Sequence, residues 1–209
     1  YQNDSRWAEY EYARAQDPDF GPDWCGDTLG ACGCAMTSVA NIMTLLGLMT
    51  MPAGQRLTPQ TLNDWLNLDA QRTSRGWVSR GYSLGDVIWS AANELSAEMH
   101  AKNPAAQTVR YAGFGSGTQE EIKNELRNGR PVILAMPGHF IAATGLDGET
   151  IQILDPFFPD RTTLDWYTSR GIKVLGSRKF EPSTDLSGVM LTAPQDVRIK
   201  VTNKDTGEI

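Results

Sequence analysis

The stretch Gly33-Cys34-Ala35-Met36-Thr37-Ser38 decides how the chain is organised. Beyond Cys34, apolar residues recur at the spacing of one buried helical face, at Ala35, Val39, Ile42, Met43 and Leu46. Gly47 then occupies the place where a left-handed C-terminal cap is expected. The pattern predicts a helix that packs on the core and has Cys34 at, or just before, its first turn.

Cys34 at a helix start has two interpretations. Unpaired N–H groups and the positive end of the helix dipole gather there, and both favour the thiolate, which is the nucleophilic form of cysteine. Gly33 before it permits a close approach of backbone or substrate. The alternative is a cysteine packed as a small hydrophobic residue. This stretch alone does not separate the two.

The composition is that of a globular protein. Of 209 residues, 40% are hydrophobic and 21% are charged, and no apolar run approaches the roughly 18 residues of a membrane span. The net charge is −6 and there is no basic run, so nucleic acid and membrane insertion are not expected. The chain starts at Tyr1 without a basic and apolar leader, which we interpret as a mature or trimmed fragment.

The three cysteines lie within ten residues, at Cys25, Cys32 and Cys34. A zinc site would need one of the two histidines, His100 or His139, and C-x-C is not the usual ligand spacing. A second interpretation pairs Cys25 with Cys32 in a disulfide and leaves Cys34 as a reactive thiol in an exported protein. Three reduced thiols in a cytosolic protein are the third possibility. We favour the disulfide.

Hydrophobic periodicity changes along the chain. Helices are predicted over 58–68, 83–99 and 118–129, where Thr58, Ser83 and Thr118 are the N-terminal caps. Strands are predicted over 131–136, 140–146, 150–154, 162–166, 172–175, 188–192 and 197–201. Helices followed by strands indicate an α+β fold, in which a helical N-terminal lobe packs on an antiparallel β-sheet lobe. One domain is expected over 1–193, and 194–209 is either a last strand or the start of a following domain.

His139 and Asp155 are predicted to be neighbours. His139 begins one strand, after Pro137-Gly138, and Asp155 ends the next strand, with an Asp147-Gly148 turn between them. In such a hairpin, a carboxylate can orient an imidazole. With a cysteine at a helix start, the two residues make the arrangement of an activated thiol nucleophile. Singly, each also fits a structural histidine or a plain Asp-Pro turn.

The sequence resembles the C39-like papain-fold cysteine peptidases of bacteria. The resemblance covers about 1–193 and is carried by Gln2-Asn3-Asp4 with Trp7, Gly33-Cys34-Ala35-Met36-Thr37-Ser38, Gly129-Arg130-Pro131-Val132-Ile133, Gly138-His139-Phe140 and Asp155-Pro156-Phe157. It implies a papain-like cysteine peptidase fold and hydrolysis of peptide bonds through a thioester acyl-enzyme. It also implies Cys34 as nucleophile, His139 as general base, Asp155 as its orienting residue and Gln2 as an oxyanion donor. Cys32, two residues before the nucleophile, is a departure from the family pattern.

The expected partner is a peptide or protein substrate, together with any further domains of a larger chain. No motif for an organic cofactor or a metal is found, and the cysteine pairing with the family's usual setting implies an extracytoplasmic location in bacteria, secreted or at the cell surface. Two alternatives stay open: a catalytically idle papain-like module that binds peptides within a surface protein, and a self-processing or acyl-transfer domain. A bare N-terminus just before Gln2 fits self-processing and a cloning boundary equally well.

Overall fold

The computed structural model describes residues 1–13 and 25–183. In chain order, the elements within these ranges are α1 (Leu29–Cys32), α2 (Cys34–Leu45), α3 (Pro59–Leu66), β1 (Gln71–Thr73), β2 (Gly76–Val78), β3 (Tyr82–Ser83), β4 (Asp86–Val87), α4 (Ala91–Lys102), β5 (Thr108–Gly115), α5 (Gln119–Arg127), β6 (Val132–Met136), β7 (His139–Asp147), β8 (Thr150–Leu154), α6 (Asp165–Thr168) and β9 (Gly176–Ser183). The predicted α+β class is confirmed.

Two antiparallel sheets make up the β structure of the described residues. The larger has the order β5-β9-β6-β7-β8, and the smaller is a meander in the order β1-β2-β3-β4. In the larger sheet, β9 lies between β5 and β6 although it comes last in sequence. The two hairpins β6–β7 and β7–β8 therefore form one side of the sheet, and this side carries His139 and leads directly into Asp155.

The helix α2 packs on the large sheet, as its sequence predicts. Its buried face includes Met36, Val39, Ile42 and Met43, and it lies against β6 and β7. Ser38 fixes the contact, since its hydroxyl donates to the backbone carbonyl of Phe140, 3.3 Å away. Gly47 has the positive φ (86°) expected after the helix end. The start of α2 is thus held against the start of β7.

The large sheet is covered on both faces. Alternate residues of β6 and β7 enter different hydrophobic clusters: Ile133 and Ala142 pack with α2, α3 and α4, whereas Leu134 and Ile141 pack with α5 and α6. Burial on both faces explains why 131–136 reads as a continuous apolar run and not as an alternating one. The sheet is therefore the middle of three layers.

The helix predicted over 83–99 begins later, at Ala91. Ser83 and Asp86 do not form a helix cap; they face each other across the β3–β4 pair, with Leu84 and Gly85 in the tight turn between them. Both turn residues have positive φ, 54° and 88°, as two-residue hairpins require. The Ser-x-x-Asp spacing is common to a capping box and to this hairpin, and the structure forms the hairpin.

The strand predictions after Asp155 need correction. The segment 162–166 contributes a single bridge, between Gln152 and Thr163, before α6 begins, and 172–175 is irregular. Two long strands, β5 and β9, were not predicted. The predicted strands over 188–192 and 197–201, and the segment 194–209, lie outside the described residues. None of the described helices combines the length and apolar character that crossing a membrane requires.

Candidate active site

Cys34 is the first residue of α2. Gly33 joins α1 to α2: its N–H donates to the Leu29 carbonyl (2.9 Å), and its carbonyl accepts from the Thr37 N–H (2.8 Å). A Cβ atom added at Gly33 would lie 2.5 Å from the Leu29 carbonyl oxygen, which is backbone and has little room to move. Glycine is therefore what lets the two helices follow each other with a cysteine at the second helix's start.

The other two cysteines form the disulfide Cys25–Cys32, which is the pairing of the favoured interpretation. Cys34 is the free thiol and is half-buried. The disulfide ties α1 to the segment before it. Because Cys32 is engaged in this bond, its position two residues before Cys34 leaves no ambiguity about which thiol is available.

His139 is the first residue of β7 and follows a two-residue turn. Met136 and His139 are paired across the β6–β7 hairpin, with Pro137-Gly138 between them and Gly138 at φ 67°. Proline followed by a residue of positive φ is the usual sequence of a tight turn. The rigid turn places the imidazole at the end of the sheet that faces the start of α2, and the side chain is 16% exposed.

Asp155 lies beside His139, as the predicted hairpin requires. It directly follows β8, its side chain is fully buried, and its Oδ1 lies 3.0 Å from His139 Nε2. This contact uses Nε2–H as the donor, so the other ring nitrogen, Nδ1, is left for the thiol of Cys34. A hydrogen bond with Cys34 is among the interactions that set the pKa of His139. The structure thus brings together the three residues that the sequence predicted.

Three further groups hold the Asp155 carboxylate. The backbone N–H groups of Phe157 and Phe158 each donate to Oδ1 at 2.9 Å, and the hydroxyl of Tyr167 donates to Oδ2. Burial alone would raise the pKa of Asp155, but the hydrogen bonds from His139, Tyr167 and Phe158 outweigh it and lower the pKa. Asp155 is therefore held as an anion in a fixed orientation.

Tyr167 was missed by the sequence analysis. It lies in α6, twelve residues after Asp155, and its hydroxyl also accepts a hydrogen bond from Arg161 (3.2 Å). Burial, followed by the bond to Asp155, raises the pKa of Tyr167 to about 12, so the hydroxyl keeps its proton and acts as a donor. Nothing in the local sequence distinguishes this tyrosine from an ordinary core residue, because its partner is set by the tertiary fold.

Two hydrogen bonds determine the charge of His139. Burial lowers its pKa, but the bonds with Asp155 and Cys34 outweigh this effect and raise the pKa from 6.5 to about 9. At neutral pH the imidazole therefore carries a proton on both nitrogens. The site favours an imidazolium next to the sulfur of Cys34, with the carboxylate on the far side of the ring.

Gln2 is buried close to the same place. Its backbone N–H donates to the Pro156 carbonyl (2.8 Å), and its side-chain Nε2 donates to the Gly30 carbonyl (2.8 Å). It is thus anchored both to α1 and to the residue after Asp155. One N–H of the amide is used by Gly30, and Nε2 carries a second one. Its Oε1 is buried and has no hydrogen-bond partner in the described part of the chain.

Among residues 1–13 and 25–183, no cluster of three or more His, Cys, Asp or Glu side chains could hold a metal ion.

The chain is similar to proteins of one known family. The chain matches the model of the "Peptidase_C39 like family" over residues 12–179, a range that includes Cys34, His139 and Asp155 but not Gln2. A solved structure, that of a "putative C39-like peptidase" from Bacillus anthracis, is 16% identical, with a TM-score of 0.27, and the match covers 71% of this chain and 88% of the other. No curated protein shows significant similarity to the chain.

Proposed function

Since the chain belongs to the peptidase C39-like family, we propose that it hydrolyses peptide bonds with Cys34 as the nucleophile. The observation that carries this proposal is the continuous set of hydrogen bonds from Cys34 through His139 to Asp155, at the junction of α2 and β7. A thiol beside an imidazole, which is in turn oriented by a third group, is the arrangement of an activated nucleophile.

The reaction follows from the positions of these groups. The Cys34 thiolate attacks the substrate carbonyl, and the His139 imidazolium gives its Nδ1 proton to the leaving amine. A water molecule, deprotonated by the same nitrogen, then hydrolyses the thioester and releases Cys34. Asp155 keeps the ring in place throughout, through Nε2. Tyr167 and the two backbone N–H groups hold Asp155 in turn.

The developing oxyanion needs donors, and two are near. The backbone N–H of Cys34 belongs to the first turn of α2, where N–H groups have no partner within the helix. The second donor is the remaining N–H of Gln2 Nε2, since only one is used by the Gly30 carbonyl. Loss of one such donor typically lowers kcat by about 100- to 1000-fold.

The activity is tested with a library of fluorescence-quenched peptides. We expect the wild-type protein to cleave some of them, and Cys34→Ala and His139→Ala to abolish cleavage with unchanged circular dichroism. His100→Gln is the matched control, because His100 lies on α4 and contacts the Ala106 carbonyl instead of the site. Cleavage that persists in Cys34→Ala would show that the proposal is wrong.

A location in an oxidising compartment belongs to the same proposal. The disulfide Cys25–Cys32 supports it, because such bonds persist outside the reducing cytoplasm. Protein purified without reductant should have one free thiol per chain, that of Cys34. Three free thiols under those conditions would remove this support.

A further inference from the structure

A second cluster of polar groups lies near Phe140, the residue that follows His139. It consists of Arg178 on β9 and Tyr111 on β5, surrounded by the rings of Trp89, Phe114 and Phe140, and we call it the Arg178 pocket. We propose that this pocket binds a carboxylate of the peptide substrate and so determines which peptides are cleaved. The proposal rests on the peptidase function above and adds a substrate class to it.

Arg178 has no counter-ion among the described residues. Its guanidinium carbon lies 4.4 Å from the ring centroid of Phe114, 5.3 Å from that of Trp89 and 5.7 Å from that of Phe140. Among residues 1–13 and 25–183, its buried Nε has no hydrogen-bond partner, and its NH1 donates to the carbonyl of Ser177, 3.3 Å away. Burial lowers its pKa, which is the sign of a charge that its surroundings do not compensate.

The neighbouring basic residues each have an acidic partner, which Arg178 does not have among the described residues. One residue further along β9, Lys179 is near Glu121, and Arg110 on β5 is paired with Glu181. Both of these pairs are partly exposed, where an ion pair contributes little. Arg178, which is partly buried among three rings, has no acid beside it in the part of the chain that the structure describes. A buried charge is costly unless it is paired, and a substrate anion would supply the missing partner.

Tyr111 brings a second unpaired donor to the same place. A bulge between Tyr111 and Gly113 shifts the β5 register, so that Tyr111 and Phe114 extend from one face of the sheet, which is also the face of Arg178. The Tyr111 hydroxyl is buried and has no hydrogen-bond partner within the described ranges. Burial raises its pKa, and the positive charge of Arg178 acts in the opposite sense, which places the two groups within electrostatic reach.

Two donors that converge in an aromatic enclosure fit a planar anion. A guanidinium matches a carboxylate through parallel N–H donors, and a hydroxyl can complete the set. Ring faces around the guanidinium hold it by cation–π contact and exclude water, which strengthens any ion pair formed there. Phe114 is 65% exposed, so the enclosure reaches the surface at this ring.

The pocket is close to the proposed nucleophile. Phe140 follows His139 in β7, and its carbonyl accepts from Ser38, one helical turn after Cys34. The ring of Phe140 lies 5.4 Å from that of Trp89, and both rings face Arg178. The Arg178 pocket is therefore on the face of the large sheet that α2 covers, and the proposal places in it a carboxylate of a peptide bound at Cys34. The carboxylate can be an Asp or Glu side chain or the C-terminus of the peptide.

The experiment compares matched peptides that differ only in this carboxylate. One arm exchanges Glu for Gln at each position around the cleaved bond, and the other exchanges a free C-terminus for an amide. For the wild-type protein, we expect kcat/KM at least about tenfold higher for the carboxylate member in one arm. Arg178→Met should remove that preference by lowering kcat/KM for the carboxylate member of the pair, and Tyr111→Phe should reduce the preference.

Controls separate the outcomes. Arg110→Met removes a cation from the adjacent strand and should leave the preference unchanged, and Arg178→Lys keeps the charge without the planar fork and should restore part of it. Binding of the same peptides to Cys34→Ala, measured by calorimetry, does not depend on chemistry. Carboxylate-selective binding without any cleavage by the wild-type protein would contradict the peptidase function but not the binding of a carboxylate by the Arg178 pocket. Equal kcat/KM and equal affinity for both members of each peptide pair, in both arms, would contradict the proposal that the Arg178 pocket binds a carboxylate.

Discussion

At the scale of single residues, the Asp155 carboxylate determines the charge of His139. The ordinary pKa of the imidazole is 6.5, and the bonds from Asp155 and Cys34 raise it to about 9 against the effect of burial. A raised pKa favours the protonated form in the folded protein. Its contribution to stability is therefore complete below pH 6.5 and is lost as the pH rises through about 9. The acid that protonates the leaving amine is lost over the same range.

A first prediction concerns this basic limb. Wild-type kcat should fall above about pH 9, because His139 loses its proton there. Asp155→Asn removes the negative charge, so the pKa of His139 should fall and the basic limb should move to lower pH by about one unit or more. The measurement is kcat from pH 5 to 10. Asp160→Asn, an exposed carboxyl in the same loop, is the control, and an unmoved limb in Asp155→Asn would contradict the assignment.

A second prediction concerns the Tyr167 hydroxyl, which Tyr167→Phe removes as a single heavy atom. Tyr167→Phe leaves Oδ2 of the buried Asp155 without this donor, while both backbone donors to Oδ1 are kept. We expect the free energy of unfolding to fall by about 1–3 kcal/mol. We also expect a lower kcat, since Asp155 is held less firmly. Urea denaturation measures the first effect. Tyr10→Phe, whose ring is exposed, should change neither quantity.

At the scale of elements, the join between α1 and α2 positions the sulfur. Gly33→Ala would force a Cβ atom against the Leu29 carbonyl, which Gly33 itself hydrogen-bonds. We expect a loss of stability of about 1–3 kcal/mol and slower alkylation of Cys34 by iodoacetamide, because the two helices must separate. Gly145→Ala is the control, since a Cβ atom there meets open space. Unchanged alkylation in Gly33→Ala would show that the junction does not position Cys34.

Elements whose signals are local could be predicted from the sequence. The apolar face of α2 and the hairpin with the Asp147-Gly148 turn each depend on neighbours in the chain, and the structure contains both. The segment 83–86 was misread because a capping box and a two-residue hairpin share the same spacing. Strands β5 and β9 were missed because the partners that stabilise them are far away in sequence.

At the scale of the whole molecule, the site combines groups from distant parts of the chain. Cys34 and His139 each lie in a recognisable local sequence pattern, so their proximity in the fold could be predicted. The roles of Tyr167 and Arg178 could not be predicted, because each depends on which polar group the fold leaves beside it: a carboxylate for Tyr167 and, within 1–13 and 25–183, no carboxylate for Arg178. The sequence itself did not show whether Gln2 is held in a fixed position. The structure buries it between α1 and Pro156.

The disulfide Cys25–Cys32 links the stability of the fold to the site. It closes a short loop that ends in α1, and the Gly30 carbonyl of α1 is the acceptor that holds Gln2. We expect the double variant Cys25→Ser/Cys32→Ser to lose about 2–3 kcal/mol of unfolding free energy, the value for a loop of this length. We also expect its kcat to fall, because Gln2 is then held less firmly as an oxyanion donor.

The control for this prediction is reduction of the wild-type protein. Urea denaturation with a reducing agent should bring the wild-type midpoint down to that of the double variant, and the double variant itself should not respond. A Gln2→Ala variant separates the two effects, since it should lower kcat while leaving the response of the midpoint to reduction intact. If reduction left the wild-type midpoint and kcat unchanged, the disulfide would support neither the fold nor the site. A loss of stability without a loss of kcat would mean that α1 holds Gln2 without the disulfide's help.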